Sequence, residues 1–328
     1  MFTVLHEFFI NKTIKLAKQG WPEVAPNPMV GCLIVKDGEI VAEGYHKKYG
    51  EAHAEVSAIN SLSKEIKPVD CTLYVTLEPC SHFGKTPPCA DLIIKKGFKK
   101  VVVCNIDPNP LVSGKGIEKL KMAGIEVITG ILEEKGRELN KRFFVFFEKK
   151  RPYYILKWAE TADGFISKLP VPKNREENII GDSEQQIQSH QLRANEVAIM
   201  IGKNTVLNDN PTLKTRLVKG KNPIRIFIDR NLEVPKSFNI YNSEAKTIVF
   251  NSVKELAENN IAYFKIDFSS NLLSQISDKL YDLKIQSVIV EGGAFLLNDF
   301  INQKLYDEVI IYKNNNLKFI TGIKAPKI

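Results

Sequence analysis

Short apolar runs, each followed by a segment of helical periodicity, recur from one end of this 328-residue chain to the other. A run of about four to eight apolar residues bounded by turn signals is the pattern of a strand buried on both faces. Strands that alternate with helices stack into an α/β layered fold with a mostly parallel sheet. In the first half the expected elements begin with a helix from Phe8 to Gln19, stopped before Gly20-Trp21-Pro22. A hairpin follows in "VGCLIVKDGEIVAEGYH", turning at Asp37-Gly38, a pair suited to the type I′ turn because both central residues need positive φ. Next come a helix over His53–Leu62, the strand "TLYVTLE", a helix near Ala90–Lys96 and the strand "KVVVCNI". A helix over Ile117–Ala123, the strand "GIEVITG" and one helix from Glu133 to about Phe147 complete this half.

The charge run Glu148–Arg151 and Pro152 break that last helix, and a new strand starts at Tyr153. The alternation then repeats. Strands are expected in "YYILKWA", "VAIMIG", "IRIFID", "KTIVF", "QSVIVEGG" and "DEVIIYK", the last of these taken as final. Helices are expected from Ser183, as N-cap, to Ala194 and in "AFLLNDFINQ". Two domains, 1–149 and 150–328, also suit a chain of this length at roughly 100–200 residues per domain.

Hydrophobic residues at 44% and charged residues at 26% exclude wholesale disorder. No apolar run approaches the ~20 residues of a membrane helix. His6 and Glu7 interrupt the apolar N-terminus, so no signal peptide is read and the expected compartment is cytoplasmic. The net charge of +8 comes from lysine pairs such as Lys47-Lys48, Lys95-Lys96 and Lys99-Lys100, scattered rather than gathered on one stripe as nucleic-acid binding requires.

All five cysteines, and four of the five histidines, lie in the first third of the chain. An odd cysteine count argues against a disulfide framework, and soft ligands gathered in one segment point to a metal in the first domain alone. His53, Cys80 and Cys89 supply one imidazole and two thiolates, and three protein ligands leave one zinc position open for water. Glu55, two residues from His53 at a helix start, can move a proton from that water to a leaving amine. H-x-E followed by P-C-x-x-C marks zinc deaminases of bases. Here eight residues separate the two cysteines, and the longer loop adds His82, Lys85 and Thr86 beside the metal, suited to a phosphate or sugar. Asn27, with its backbone fixed by Pro26 and Pro28, can read a ring edge or serve only as a turn residue. His46, which ends the second hairpin strand, is open to a substrate role or a structural one. In the second half no G-x-G-x-x-G occurs. "VIVEGGAF" and "MIGKNTV" put Gly292, Gly293, Gly202 and Thr205 at strand-to-helix turns, where free N–H groups suit a phosphate.

The stretches "PNPMVGC", "GYHKKYGEAHAEVSAI", "YVTLEPCSHFGKTPPCADLI", "DPNPLVSGKGIEKL", "KWAETADG", "LRANEVAIMIGKNTVLNDNPTLKTR" and "VEGG" together resemble the bifunctional deaminase/reductases of bacterial riboflavin biosynthesis, over nearly the whole chain. In that family the N-terminal domain is cytidine-deaminase-like and the C-terminal domain dihydrofolate-reductase-like. The resemblance implies two steps on one phosphoribosyl pyrimidine. Zinc-dependent hydrolysis removes the 2-amino group of 2,5-diamino-6-(5-phosphoribosylamino)pyrimidin-4(3H)-one, and NADPH then reduces the ribosyl chain to ribityl. It places zinc on His53, Cys80 and Cys89, and the proton shuttle on Glu55. Deaminase substrate falls on Asn27, His46, His82 and Lys85. NADPH falls near Ala159, Thr205, Asp209 and Gly293, and reductase substrate near Arg193, Leu213, Arg216 and Glu291. The guanidinium forks of Arg193 and Arg216 suit a sugar phosphate. The expected partners are that small molecule and further copies of the chain in a homo-oligomer, with neither nucleic acid nor membrane.

Two departures from the family stand out. "EENIIGDS" puts Glu177 and Ile179 where a small polar residue and Trp are usual, and the chain stops soon after "IIYK", where the family continues with a strand and a glycine turn. They motivate a reading in which the second half is a weakened reductase serving mainly for assembly. A tRNA base deaminase, favoured by net charge, and a zinc-stabilised scaffold without catalysis complete the functions open to such a chain.

Overall fold

The computed structural model describes residues 2–83, 87–172 and 175–328. The chain separates into two compact units, Met1–Lys149 and Lys150–Ile328.

The first unit runs α1 (Phe2–Ala17), β1 (Gly31–Lys36), β2 (Glu39–Tyr45), α2 (Ala54–Ser61), β3 (Thr72–Leu77), α3 (Cys89–Lys96), β4 (Lys100–Asn105), α4 (Lys115–Met122), β5 (Glu126–Thr129), α5 (Glu133–Leu139) and α6 (Lys141–Lys149). Its sheet has the order β2-β1-β3-β4-β5. β1 is antiparallel to β2 and β3, and β3, β4 and β5 are parallel. The hairpin turns at Asp37 (φ 50°) and Gly38 (φ 83°), both left-handed as that turn demands. Side chains alternate between two buried faces. Cys32, Ile34, Val75, Val101 and Val103 join one core, and Leu33, Val35, Tyr74, Val102 and Cys104 the other. Burial on both faces explains why these strands read as nearly unbroken apolar runs.

The single helix expected over 133–147 is two helices. Asn140 breaks it because its side chain is spent elsewhere: Oδ1 accepts the Met29 amide at 2.8 Å and Nδ2 donates to the Met29 carbonyl at 2.9 Å. That clasp ties the joint to the segment entering β1.

α2, which starts beside His53, lies on β2 so closely that only glycine fits at 44. A Cβ there would meet the Ala54 carbonyl oxygen at 2.7 Å, as well as the Ala58 amide nitrogen. These are backbone atoms and cannot step aside. Gly44→Ala is therefore expected to lower stability by about 1–3 kcal/mol, as overpacking does, and to reduce zinc affinity by shifting α2. Urea unfolding and metal titration of the variant check both effects.

The second unit runs β6 (Tyr153–Thr161), β7 (Phe165–Lys168), α7 (Ser183–Asn195), β8 (Ala198–Gly202), α8 (Lys203–Asp209), β9 (Ile224–Ile228), β10 (Thr247–Asn251), β11 (Leu256–Glu258), β12 (Ile261–Lys265), α9 (Leu272–Asp282), β13 (Ser287–Val290), α10 (Ala294–Asn302), β14 (Glu308–Asn314) and β15 (Gly322–Lys324). Eight strands in the order β11-β12-β10-β9-β8-β13-β6-β14 form a sheet that is parallel except at β11. Its two faces bury Tyr154, Leu156, Met200 and Val288 on one side and Ile199, Phe227, Val249 and Ile289 on the other.

Two expectations are corrected here. α7 is capped by Asp182 rather than Ser183. The Asp182 carboxylate accepts the Gln185 amide at 2.8 Å while the Gln185 side chain accepts the Asp182 amide at 3.3 Å, a reciprocal box that a serine one position later could not make. The strand "DEVIIYK" is not final either. β15 follows, begins with Gly322 and pairs antiparallel with β7. Asp163 holds this tail by accepting the amides of Phe319 at 3.3 Å and Ile320 at 2.9 Å.

Candidate active sites

In the first unit, two helix starts and one strand end converge. His53 immediately precedes α2, Cys89 opens α3, and Cys80 lies three residues beyond β3. The His53 Nδ1 and the Cys80 and Cys89 Sγ atoms all lie within 4.8 Å of one another. His53 Nδ1 is 3.6 Å from the Cys80 sulphur and 3.3 Å from that of Cys89. Helix starts favour negative charge, so the thiolate form is supported there. The Cys80 thiol is pulled down to about 4, first by hydrogen bonding from Cys89 and also by His53, against the effect of burial. Cys89 is pushed up in turn, because the two sulphurs share one proton. One imidazole and two soft sulphurs at this spacing fit a zinc ion and leave a coordination position for a small ligand.

Glu55, on the first turn of α2, is buried. Burial first, and then the nearby Cys80, raise its carboxyl to about 7. His46 and Asn27 stand beside this cluster. The rings of His46 and His53 meet edge to face at 5.5 Å. His46 Nδ1 lies 3.0 Å from the Ala52 carbonyl, and its Nε2 lies 3.0 Å from Asn27 Nδ2. One assignment satisfies both contacts: Nδ1–H donates to Ala52, and neutral Nε2 accepts from the Asn27 amide. Burial lowers the His46 pKa, in keeping with that neutral form. His82 is exposed, and Lys85 and Thr86 lie outside the described residues.

Two further carboxylates belong to this site, neither of them expected from sequence. Glu78 ends "TLE" just before Cys80, and its Oε1 accepts the amides of Gly116 (2.8 Å) and Ile117 (3.2 Å). Its Oε2 accepts those of Gly114 (2.9 Å) and Asp107 (3.2 Å). The first turn of α4 thus anchors the strand end that presents Cys80. Burial raises Asp107 to about 7, although its carboxylate accepts the Asn109 amide at 2.8 Å. A carboxylate closing an otherwise apolar strand was the available sign for Glu78.

In the second unit the polar groups gather at the carboxyl ends of parallel strands, where ligands of such sheets bind. Glu291 follows β13 and is gripped by Arg193 of α7 through Nε at 3.1 Å and Nη2 at 2.5 Å. Lys157 of β6 lies 3.9 Å from the same carboxylate. Burial would raise the Glu291 pKa, but Arg193 and then Lys157 outweigh it and bring it to about 2. Lys157 moves down rather than up. Its burial dominates, and Arg193, which holds the carboxylate bidentately, repels it. Arg193, one of the two guanidinium forks expected to suit a sugar phosphate, has its Nε and Nη2 on Glu291. Arg216 is exposed, and its backbone amide donates to His190 Nδ1 at 3.0 Å.

That bond needs a neutral His190. Burial first, then Arg193 and Arg216, lower its pKa to about 4. The unfolded chain binds this proton near the ordinary value of 6.5 and the folded chain does not. The resulting stability is present above pH 6.5 and is lost as pH falls toward about 4. Urea midpoints of the full chain measured from pH 7 to 4 are expected to fall for this reason, and His190→Gln should flatten the drop.

Thr205 and Gly293 meet as well: the Gly293 amide donates to the Thr205 hydroxyl at 3.0 Å, joining the starts of α8 and α10. A Cβ at Gly202 would meet nothing within 4 Å, and one at Gly293 only the Thr205 hydroxyl at 3.4 Å. Both backbones therefore face open space that a phosphate can reach. Leu213 is buried with a left-handed backbone (φ 50°), a conformation leucine rarely adopts. Ala159 is half-buried on β6, and Asp209 closes α8. Glu177 and Ile179 are exposed. Sequence reasoning missed Lys157 and His190. A lysine inside the apolar run "YYILKWA" was the sign of the first.

Residues 3–105 match the cytidine and deoxycytidylate deaminase zinc-binding region, and residues 152–315 match the RibD C-terminal domain. The riboflavin biosynthesis protein RibD of Aquifex aeolicus is 41% identical over 95% of this chain and 87% of its own length. That of Escherichia coli is 35% identical over 93% and 86%. Among solved structures, a diaminohydroxyphosphoribosylaminopyrimidine deaminase/5-amino-6-(5-phosphoribosylamino)uracil reductase from Thermotoga maritima has a TM-score of 0.87 at 39% identity, covering 99% of this chain and 90% of that one. Acinetobacter baumannii RibD has a TM-score of 0.88 at 34% identity, covering 99% and 92%. The matches run through both halves and favour neither a tRNA base deaminase, nor a scaffold, nor a deaminase with a weakened reductase domain. Among the described residues no helix is long and apolar enough to cross a membrane. The chain belongs to the RibD family, bifunctional enzymes of riboflavin biosynthesis that join a deaminase and a reductase in one polypeptide.

Proposed function

We propose that this chain deaminates 2,5-diamino-6-(5-phosphoribosylamino)pyrimidin-4(3H)-one in its first unit and reduces the ribosyl side chain of the product with NADPH in its second. The observation that carries the reading is the buried Glu55 carboxyl beside the His53–Cys80–Cys89 donor set. The Thermotoga maritima relative is named for a deaminase and a reductase acting on the same substrate class.

His53, Cys80 and Cys89 would hold zinc, which when bound acts as a Lewis acid and acidifies water. Glu55 receives a proton on its carboxyl oxygen from the attacking water and returns it to the departing amine, which leaves as ammonia. A pKa near 7 suits a group that must both take and give a proton at neutral pH. Asn27 offers an amide for the edge of the pyrimidine ring, and the neutral His46 fixes its orientation. His82 and Lys85, on the loop between the cysteines, are assigned to the sugar phosphate.

NADPH supplies the hydride of the second step. Thr205 and the open backbone at Gly202 and Gly293 would lie against its phosphates, with Ala159 and Asp209 beside it. Arg193, Leu213, Arg216 and Glu291 are assigned to the reductase substrate. The role of Arg193 is to hold Glu291 ionised, leaving the exposed Arg216 for the phosphate. Hydride transfer needs no covalent protein group, only alignment of the two reactants.

The test is to incubate the zinc-loaded protein with the diaminopyrimidine phosphate, with and without NADPH, and to identify products by mass. Without NADPH a ring amine is expected to be replaced by oxygen. With it, the sugar should also gain two hydrogens. An unchanged diaminopyrimidine overturns the first assignment, and an unreduced sugar overturns the second.

A further inference from the structure

We propose that His190 is a positioning residue of the reductase step: from α7 it holds the backbone at Arg216 and so aims that side chain at the phosphate of the substrate. The proposal rests on the reading that Arg216 binds this phosphate, and it gives a role to a residue outside the reductase assignments. His190 is 4% exposed, and a ring of this polarity is costly to bury without a hydrogen bond. Its Nδ1 accepts the Arg216 amide at 3.0 Å. The one proton of the neutral ring therefore sits on Nε2. Among the described residues the Arg216 amide supplies the one hydrogen bond that satisfies this ring.

The bond joins two parts of the site. Arg193 lies three residues after His190 on α7, and positions three apart share a helix face. Arg193 grips Glu291 just beyond β13. One face of α7 therefore holds the Glu291 carboxylate at one point and the Arg216 backbone at the next turn. The charges that act on the His190 ring are those of Arg193, Arg216, Lys157 and Glu291. Three cations against one carboxylate favour the neutral imidazole, the form that can accept an amide.

The segment around Arg216 needs such a tether. Its turn is closed by its own bonds: the Thr215 amide donates to Asn222 Oδ1 at 2.9 Å, and the Thr215 hydroxyl to the Lys221 carbonyl at 3.2 Å. Asn222 in turn donates to the Glu244 carbonyl at 3.2 Å, which moors the turn on the β9–β10 connection. Toward α7 there are two contacts. Gly220 lies so close that a Cβ there would come within 2.5 Å of the Ala194 Cβ. That contact is packing and carries no direction. The His190–Arg216 bond is directional, and it sets the peptide plane from which the exposed Arg216 side chain departs. A guanidinium binds a phosphate as a rigid planar fork, so an error in that plane is carried to the fork.

The experiment is steady-state NADPH oxidation by the full chain with the deaminated intermediate. It compares wild type with His190→Leu, His190→Asn, Arg216→Ala and the double variant His190→Leu/Arg216→Ala. His190→Leu removes the acceptor and is expected to raise KM for the intermediate about tenfold, the size of one weakened hydrogen bond to a charged group. Its kcat and its KM for NADPH should stay near the wild-type values, as loss of substrate binding alone requires. His190→Asn puts an amide oxygen where Nδ1 stands and should bring KM back to within about twofold of wild type. Because His190 acts through Arg216, the double variant should be no worse than Arg216→Ala alone. If His190→Leu does not fold, His190→Gln, whose amide extends past the Nδ1 position, takes its place with the same expectation. A lowered urea midpoint with unchanged KM in His190→Leu would make the residue structural only and overturns the proposal. So does a KM in His190→Asn as high as in His190→Leu, or a double variant in which the two effects add. An unchanged KM in Arg216→Ala removes the phosphate reading of Arg216, and the proposal falls with it. A raised KM there beside a wild-type KM in His190→Leu overturns the proposal alone.

Discussion

Glu55→Gln is expected to cut the deamination rate by about 10²–10⁴-fold, the range set by loss of a positioned acid–base group, while zinc content stays that of the wild type. The amide has the same shape but carries no exchangeable acid proton at neutral pH. Glu55 belongs to α2 and is buried against the sulphurs, yet it is not among the three atoms that gather as metal donors. The substitution also removes a carboxyl that burial makes costly to ionise, so the variant should unfold no more easily than wild type. Metal analysis, ammonia release and urea unfolding on one preparation separate these outcomes. Loss of zinc together with activity would make Glu55 a ligand rather than a proton carrier. Unchanged ammonia release would remove it from the chemistry altogether. The NADPH-dependent reduction, assayed with deaminated substrate, should be unaffected.

The gathering of His53, Cys80 and Cys89 was legible in the sequence because its chemistry is local. A histidine and a glutamate two apart at a helix start, and cysteines after a strand, bring their neighbourhoods with them. The strands were legible for a similar reason, since burial on both faces leaves an uninterrupted apolar run. What escaped depends on distant partners. The break at Asn140 comes from a clasp with Met29, 111 residues away. The role of Glu78 comes from amides of a helix that starts some forty positions later. β7, β11 and β15 are only three or four residues long, too short for a period-2 pattern to register. β15 also owes its place to Asp163 binding amides 156 and 157 residues on. In the reductase half, family resemblance pointed to Arg193 and Glu291 as separate contacts. Only the fold shows that they grip each other and that Lys157 and His190 share their surroundings.

That mutual grip makes Glu291→Gln the second large effect. The substitution leaves Arg193 and Lys157 buried without their carboxylate, and breaking one side of a buried ion pair costs about 3–5 kcal/mol. Linkage gives a similar size: a carboxyl moved from 4.5 to about 2 in the folded state carries roughly 3 kcal/mol at neutral pH. The sign follows from the direction of the shift. Because the folded value is depressed, the stability is fully present above pH 4.5 and is lost as pH falls toward about 2. Urea unfolding at pH 7 should therefore show the variant's second unit well below wild type, and the gap should narrow steadily below pH 4.5. NADPH oxidation with the deaminated intermediate should fall with the loss of the ionised carboxylate, while zinc content and ammonia release from the first unit remain. If the two proteins unfold alike at pH 7, then Arg193 finds its charge balance elsewhere and the pair is not what holds these strand ends in place. A gap that stays constant down to pH 3 would mean that packing, not ionisation, sets the contribution of Glu291.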